Sequence, residues 1–588
     1  MKGIPMKKLV LVAFLLLALQ LVPAAATPLD ELTQLAGYFP DDTQVFAAVR
    51  IDDDFIATLD ELIARLDEAV PGLFGDSPSL RAALDEASQR AGQKVTQEDD
   101  EDFESLFRSW LGDTAALAID NTGTAMFGGE VRPLIALAIT DRDAAEAFLD
   151  NYIVPNGDYD KAERYGGILY EAQNSFNSHY LLLDDVLLGT LTGRQPARTL
   201  NLRVRESLAE SDAFTEALAT LPADEYNIVV YANLPEILAP FAAFAPSAVG
   251  EDVPLDLMPA VEGLGAITVG FTIIEEQSLV MDVGLVVDDP DVFREAGLRL
   301  GNLPAIDLDF AAYAPANTAV LIQNQDFGGE LINLIDRLDE IGTLLEAMEM
   351  YPLIQGTRNP PYSQAELDVL QSVNLNDVAT FIRQSFRGMT GLTLEEGLGW
   401  MSADYAAYLG YSLPDPETLS VSLGVISAVT DTEAAEAFRD GVQAAFDQGG
   451  VAYSTEGDNL VLPFLSQAVE EGTGRAAPEF DFVLGLNDDV MVLGTRPSTD
   501  HALDPQDGGL AGTSAYQNAR RAFVTDTHLL WYLSLPSLLN PARETLIAAD
   551  ASAEQLYGLV DLFESLSITA ASDENGTGVV RFAITLSE

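Results

Sequence analysis

No cysteine occurs anywhere in the 588 residues. That excludes disulfides, thiolate catalysis, cysteine-ligated metals and a lipid-modified N-terminal cysteine. Histidine is nearly as scarce, with only His179, His501 and His528. Nucleophile–base relays and histidine-rich zinc sites have little to work with. His179 opens a strand beside Tyr180, His528 begins the strand carrying Trp531, and His501 lies in a polar loop; the three are read as incidental. No G-x-S-x-G elbow, H-E-x-x-H helix, G-x-x-x-x-G-K-[ST] loop or strand-following G-x-G-x-x-G is present, so the usual serine-hydrolase, zincin and phosphate-cradling motifs are missing. Aromatics make up 8% of the chain, with three tryptophans, which argues against a sugar-stacking cleft. Trp110 and Trp400 are read as core anchors.

Positive charge is scarce too. Thirty basic residues face 93 acidic ones, for a net charge of −63. Such a surface repels phosphate backbones and anionic headgroups and keeps the molecule dispersed. Nucleic-acid binding, which needs clustered Lys and Arg to displace counterions, is not expected. With 48% hydrophobic residues, the chain still has ample material for a buried core.

Lys2, Lys7 and Lys8 precede an apolar stretch from Leu9 to Val22, and Ala24-Ala25-Ala26 follows Pro23. This is the three-part pattern of a cleavable secretory signal, with cleavage after Ala26. The stretch is short for a bilayer span, which needs about 20 residues, and no later segment holds 18 uninterrupted apolar residues. Removing the three lysines leaves 27 basic against 93 acidic residues, or −66. The mature chain is expected to be soluble and secreted or on the exterior of the cell envelope, periplasmic where an outer membrane exists.

Self-similarity organises the rest. Tyr38-Phe39-Pro40-Asp41-Asp42-Thr43-Gln44-Val45 is echoed by Tyr313-Ala314-Pro315-Ala316-Asn317-Thr318-Ala319-Val320. Asp141-Arg142-Asp143-Ala144-Ala145-Glu146-Ala147-Phe148 is echoed by Asp431-Thr432-Glu433-Ala434-Ala435-Glu436-Ala437-Phe438. Asp184-Asp185-Val186 returns as Asp488-Asp489-Val490, Leu208-Ala209 as Leu510-Ala511, and Leu234-Pro235 as Leu535-Pro536. Single matches are weak in so Ala- and Asp-rich a chain; their common order carries the inference. We read a signal peptide over 1–26, a first α+β repeat over 27–303 and a second over 304–588, with a loop insertion near 470–479.

Both copies predict the same elements. A first strand (45–51; 320–325) leads into helices, and the first of these in copy one places Phe55, Leu59, Leu62, Ile63 and Leu66 on one face. Two apolar strands follow (115–119 and 133–140; 405–411 and 419–429), then a helix capped by Asp141 or Asp431. Three short strands come next, then a helix, a strand (227–233; 528–535), another helix and a closing strand pair. In copy one that pair, 266–274 and 279–287, reads as including a strand buried on both faces. Strands arriving in adjacent pairs favour antiparallel sheets with helices packed on one face.

Carboxylates are the one reactive group in plenty. Asp52-Asp53-Asp54 and the run from Glu98 to Glu101 read as solvated or capping groups. Asn156, Asp158 and Asp160 have the spacing that opens a calcium loop, but Lys161 stands where that loop needs glycine. No residue is assigned a catalytic, cofactor-binding or metal role, and no cofactor is expected. The opening Tyr38–Thr43 segment, and the aliphatic strand running into Asp141 and its Ala/Phe helix, resemble a bacterial exported family catalogued as domain of unknown function 3352. The resemblance spans roughly residues 30–588 and implies export and a repeated α+β build, with no assigned reaction.

The reading is therefore an exported, non-catalytic protein that binds an unidentified protein or small molecule. An envelope-associated structural protein and a carboxylate-dependent hydrolase are the alternatives. Mass spectrometry of the protein from its native culture should find a mature chain starting at Thr27; a chain retaining Met1 would refute the signal.

Overall fold

The computed structural model describes residues 27–69, 79, 81, 107–119, 133–156, 159–173, 178–190, 207–240, 261, 263–274, 278–295, 303–336, 375–415, 418–463, 466–467, 480–505, 507–549 and 553–587. The signal peptide, the acidic run at 98–101, Asp158 and the 470–479 insertion lie outside them. The chain is mixed helix and strand, and its large sheets are antiparallel. Two compact units divide it: Met1–Ala243 with Met258–Phe293 and Asp573–Glu588, and Phe244–Leu257 with Arg294–Ser572.

The first unit carries β1 (Thr27–Pro28), β2 (Val45–Arg50), β3 (Leu111–Ile119), β4 (Pro133–Ile139), β5 (Tyr159–Arg164), β6 (Gly167–Ala172), β7 (Tyr180–Leu182), β8 (Val186–Thr190), β9 (Glu225–Tyr226), β10 (Ile228–Asn233), β11 (Leu264–Ile274) and β12 (Ser278–Val287). Beside a small β1–β9 pair, the strands run in the order β5-β6-β7-β8-β4-β3-β2-β10-β11-β12, antiparallel throughout. Helices α1 (Asp53–Ala69), α2 (Arg142–Phe148) and α3 (Asp212–Leu218) join them. In α1, Phe55, Ile56 and Leu59 are buried and Ile63 is partly so; the side chains of Leu62 and Leu66 lie outside the described set. The β5–β6 hairpin turns on Tyr165 (φ 56°) and Gly166 (φ 84°), the paired positive φ values that match a two-residue turn to strand twist.

The second unit carries β13 (Thr318–Gln325), β14 (Asp404–Asp415), β15 (Thr418–Ala428), β16 (Ser454–Glu456), β17 (Asn459–Leu462), β18 (Phe482–Leu486), β19 (Val490–Thr495), β20 (Leu529–Ser534) and β21 (Phe563–Ser572). Their order is β16-β17-β18-β19-β15-β14-β13-β20-β21, again antiparallel. Its helices include α4 (Leu375–Thr390), α5 (Leu394–Leu398), α6 (Thr432–Gly449), α7 (Arg496–Leu503), α8 (Ser514–Arg520) and α9 (Leu535–Leu539). Beyond them β22 (Gly578–Leu586) belongs to the first unit and pairs with β12.

Each sheet is apolar on both faces. In the first unit one face packs Phe46, Ala118, Leu134 and Tyr231 against Phe214 of α3, with Phe46–Phe214 and Phe214–Tyr231 ring centroids 5.5 and 5.0 Å apart, edge to face. The other face carries Trp110, Ile139, Leu182 and Leu187 with Ala145 and Leu149. In the second unit Leu321, Tyr408, Ile426 and Tyr532 lie on one face with Tyr516 of α8. Leu484 and Met491 lie on the other with Leu398, Trp400 and Ala435. Helices thus pack on both faces, not one, over at least part of each sheet, because the central strands alternate two sets of apolar side chains.

Three further expectations change. Four short strands, not three, follow the Asp-capped helix in each unit, because the second of them is bent back by a two-residue turn. The strand β11 alternates buried and half-buried positions over most of its length, and burial on both faces is confined to the ends of β12, at Ser278–Val280 and Val286–Val287. His501 sits in α7 rather than a loop.

The β12–β22 pairing encloses a charged pair. Asp282 and Arg581 are direct register partners. Arg581 donates to both oxygens of Asp282 at 2.6 and 2.8 Å, and the Tyr226 hydroxyl donates to Oδ2 at 2.7 Å. Asp282 is fully buried and Arg581 5% exposed. The same tyrosine oxygen accepts from the amide of Ala223 at 3.0 Å, and burial beside Asp282 pushes its ionisation far above the usual tyrosine range. Removing one partner of such a pair leaves an uncompensated buried charge, costing about 3–5 kcal/mol. Arg581→Met should lose stability of that order in urea unfolding, and adding Asp282→Leu should recover most of it. A lone Arg581→Met that unfolds like the native chain would contradict the assignment.

Candidate functional site

Of the carboxylates singled out in the sequence, Asp52, Asp53 and Asp160 hold structure. Asp52 accepts from Arg50 through two contacts, one of them 3.0 Å, and from the Phe55 amide at 2.9 Å, starting α1. Asp53 pairs with Arg108 at 2.9 Å. Asp160 lies on β5 and accepts from Gln173 at 2.9 Å. Lys161 donates to Glu146 and Asp150 at 2.9 and 2.6 Å, and those hydrogen bonds outweigh desolvation and raise its ionisation. Asn156 ends a short helical turn, so Asn156 and Asp160 do not share one loop. Among the described residues no three His, Asp or Glu side chains gather to hold a metal ion.

The two caps are alike. Asp141 accepts from the Ala144 amide at 3.0 Å, and Asp431 from the Ala434 amide at 3.1 Å, serving first-turn donors that no helix bond reaches. Trp110 and Trp400 are 1% and 3% exposed, packed 5.1 Å from Phe148 and 6.1 Å from Phe438 between ring centroids. Both anchor cores.

A cleft of about 800 Å³ opens between α5 and the start of α6, lined by Leu392, Glu395, Glu396, Trp400, Asp431 and Glu433. Its carboxylates are largely committed. Glu396 accepts from the Thr393 amide at 2.9 Å in a capping box, and Asp431 caps α6. Glu395 accepts from Arg383 at 2.8 Å, and that hydrogen bond holds its carboxyl below the usual range. A general acid at neutral pH needs the opposite shift.

A second feature was not singled out in the sequence. On the second unit, the sheet face opposite Leu321 and Tyr408 is open across its centre. Trp531, Ile322, Ala407, Val425 and Leu493 are successive register partners across β20, β13, β14, β15 and β19. Leu533, Val320, Leu409 and Leu423 form the adjoining row. Five of these side chains are 40–49% exposed: Leu409, Leu423, Val425, Leu493 and Trp531. At about 4.8 Å per strand, the first row spans roughly 19 Å. Tyr405 and Tyr411 flank it along β14. The Phe327 ring packs 5.1 Å from that of Tyr405 at one end, and Tyr411 donates to the Leu538 carbonyl of α9 at the other. Contiguous apolar surface of this kind is uncommon on a folded chain. Its sequence signal was present: β14 and β15 carry apolar residues at both parities.

The histidines are scattered. His179 is buried and accepts at Nδ1 from the Ala172 amide at 3.1 Å. His501 Nε2 lies 3.1 Å from the Ala312 carbonyl. His528 lies at the start of β20, where burial lowers its basicity below the usual imidazole value. No helix among the described residues is long and apolar enough to cross a membrane.

The model of a family described as "Protein of unknown function (DUF3352)" matches residues 71–587. None of the curated proteins matches the chain. Solved structures described as crystal forms III and I of TP0453 align at 10% and 11% identity. They cover 45% and 43% of this chain and 81% and 78% of that one, each with a TM-score of 0.22, too low to carry a fold argument.

His528 yields a pH prediction. With a folded pKa below the unfolded one, near 6.5, the unfolded state binds more protons. Its contribution to stability is complete above the unfolded pKa and is lost as pH falls from there through the folded value. An NMR titration should place the His528 midpoint below about 6.5; a midpoint above that would reverse the sign.

Proposed function

The chain belongs to the DUF3352 family, whose description assigns no activity, and we propose that it is an exported, non-catalytic binding protein built from two diverged copies of one α+β unit. Export is supported by the charged, apolar and small-residue parts of the leader. Duplication is supported by strand order: β5-β6-β7-β8-β4-β3-β2-β10-β11 has a counterpart for every strand in β16-β17-β18-β19-β15-β14-β13-β20-β21. Local contacts recur with it. The Ile139 amide donates to the Asp185 carbonyl and the Val429 amide to that of Asp489, at 3.0 and 2.9 Å. The Leu208 amide donates to the Phe39 carbonyl and the Leu510 amide to that of Ala314, at 2.9 and 2.8 Å.

Binding rests on one observation: the open apolar face of the second unit. Its counterpart row in the first unit is Val230, Ala47, Leu117, Ile135 and Gly189. None of these is exposed. Trp531 stands where the first unit has Val230, Ile322 where it has Ala47, and Leu493 where it has Gly189. A common scaffold that carries large exposed side chains in only one copy has diverged where a ligand would act. Each of Leu409, Leu423, Val425, Leu493 and Trp531 still exposes two-fifths to half of its surface, so covering it yields about 1 kcal/mol, which favours association before the entropic cost of binding is met.

The test is a neutral apolar dye. Nile red should brighten on the mature protein and lose most of that signal in Val425→Asp, with circular dichroism unchanged. No brightening, or brightening that the variant leaves intact, would overturn the reading.

A further inference from the structure

The open face also constrains what covers it. Resting on the binding reading above, we propose that its occupant is a positively charged amphipathic helix of another protein.

Geometry comes first. The face is a floor of two adjoining apolar rows, not an enclosed cavity. A single acyl chain laid on it would keep much of its own surface wet. A helix instead presents a stripe of apolar residues spaced three and four apart, keeps its polar side in water and satisfies its own backbone. A helix of about 14 residues is roughly 21 Å long, matching the span from Trp531 to Leu493. Strand addition needs a free sheet edge, and β13, β14, β15 and β20 are each paired on both sides.

Charge selects among helices. Neither apolar row contains an ionisable residue, while the whole chain carries −63. The Glu330 carboxylate lies 3.4 Å from the Tyr405 hydroxyl, at the end of the face. A second copy of this chain would bring the same net charge, and an anionic membrane would be repelled likewise. Lys and Arg flanking an apolar stripe would meet Glu330 at that end of the face and gain association rate from the net negative charge of the chain.

The molecule supplies its own reporter. Trp110 and Trp400 are buried, and Trp531 alone of the three tryptophans is exposed, at 49%. The experiment titrates the mature protein with a model helix of about 18 residues, with Leu along one stripe and Lys elsewhere, and with its Leu/Glu counterpart. The Leu/Lys helix should shift Trp531 emission to the blue with micromolar affinity. Affinity should fall roughly tenfold or more in about 0.5 M salt and in Val425→Asp or Leu493→Ser, two variants on different strands that guard against a single misfolded one. Equal binding of both helices would overturn the charge argument. A Trp531 shift with neutral phosphatidylcholine vesicles but not the helix would assign the face to lipid. Dimerisation abolished by Leu423→Asp would assign it to a second copy. Nile red binding without any helix response would refute this occupant yet leave the binding reading standing; loss of both would refute both.

Discussion

Strands that are apolar at both parities impose the constraint on which this molecule depends. Such a sheet loses stability wherever a side is left to water, unlike an ordinary half-buried antiparallel sheet. It must find cover twice. That requirement explains why each unit carries two apolar clusters on opposite faces, one built on Phe214 or Tyr516 and the other on Trp110 or Trp400. It also gives meaning to the place where cover is missing. Between the α4–α6 cluster and α9, the floor formed by Leu409, Leu423, Val425, Leu493 and Trp531 remains in contact with solvent.

The Asp282–Arg581 pair works by a different physics. Two charges buried between strands gain little net stability over an apolar pair of the same volume. What they add is selectivity: a slip of β22 by one residue would turn Arg581 to the opposite face and separate it from Asp282. Tyr226 makes the arrangement stricter, because its hydroxyl serves Asp282 and the Ala223 amide together. The pair therefore fixes where β22 lies against β12 more than how tightly it is held.

Much of the architecture was legible because periodicity and capping are local. The first strand, the two long strands after it, and the caps Asp141 and Asp431 fall where alternation and side-chain chemistry put them. The hairpin at Tyr165–Gly166 was missed because one residue of its turn is a tyrosine at positive φ, which composition does not announce. His501 was misplaced because Arg496-Pro497-Ser498-Thr499-Asp500 reads as a polar loop, although proline in the first turn is compatible with a helix. That the second unit's face is open was only half legible. The apolar residues of β14 and β15 are plain in the sequence, but whether a helix covers them depends on contacts between segments a hundred residues apart.

That open face raises a colloidal question, since exposed Leu, Val and Trp on a flat sheet invite self-association. The charge composition answers it. At −63, two copies approaching face to face meet repulsion over their surfaces before the apolar rows touch, and within a Debye length of about 8 Å that repulsion is little screened. A positively charged partner meets the reverse. In the proposed reading the acidic excess and the uncovered rows act together: charge keeps identical molecules apart, and the same charge leaves the face available to a partner of opposite sign. Neither feature accounts for the other alone. An acidic chain without the rows would be merely soluble, and the rows without the charge would aggregate.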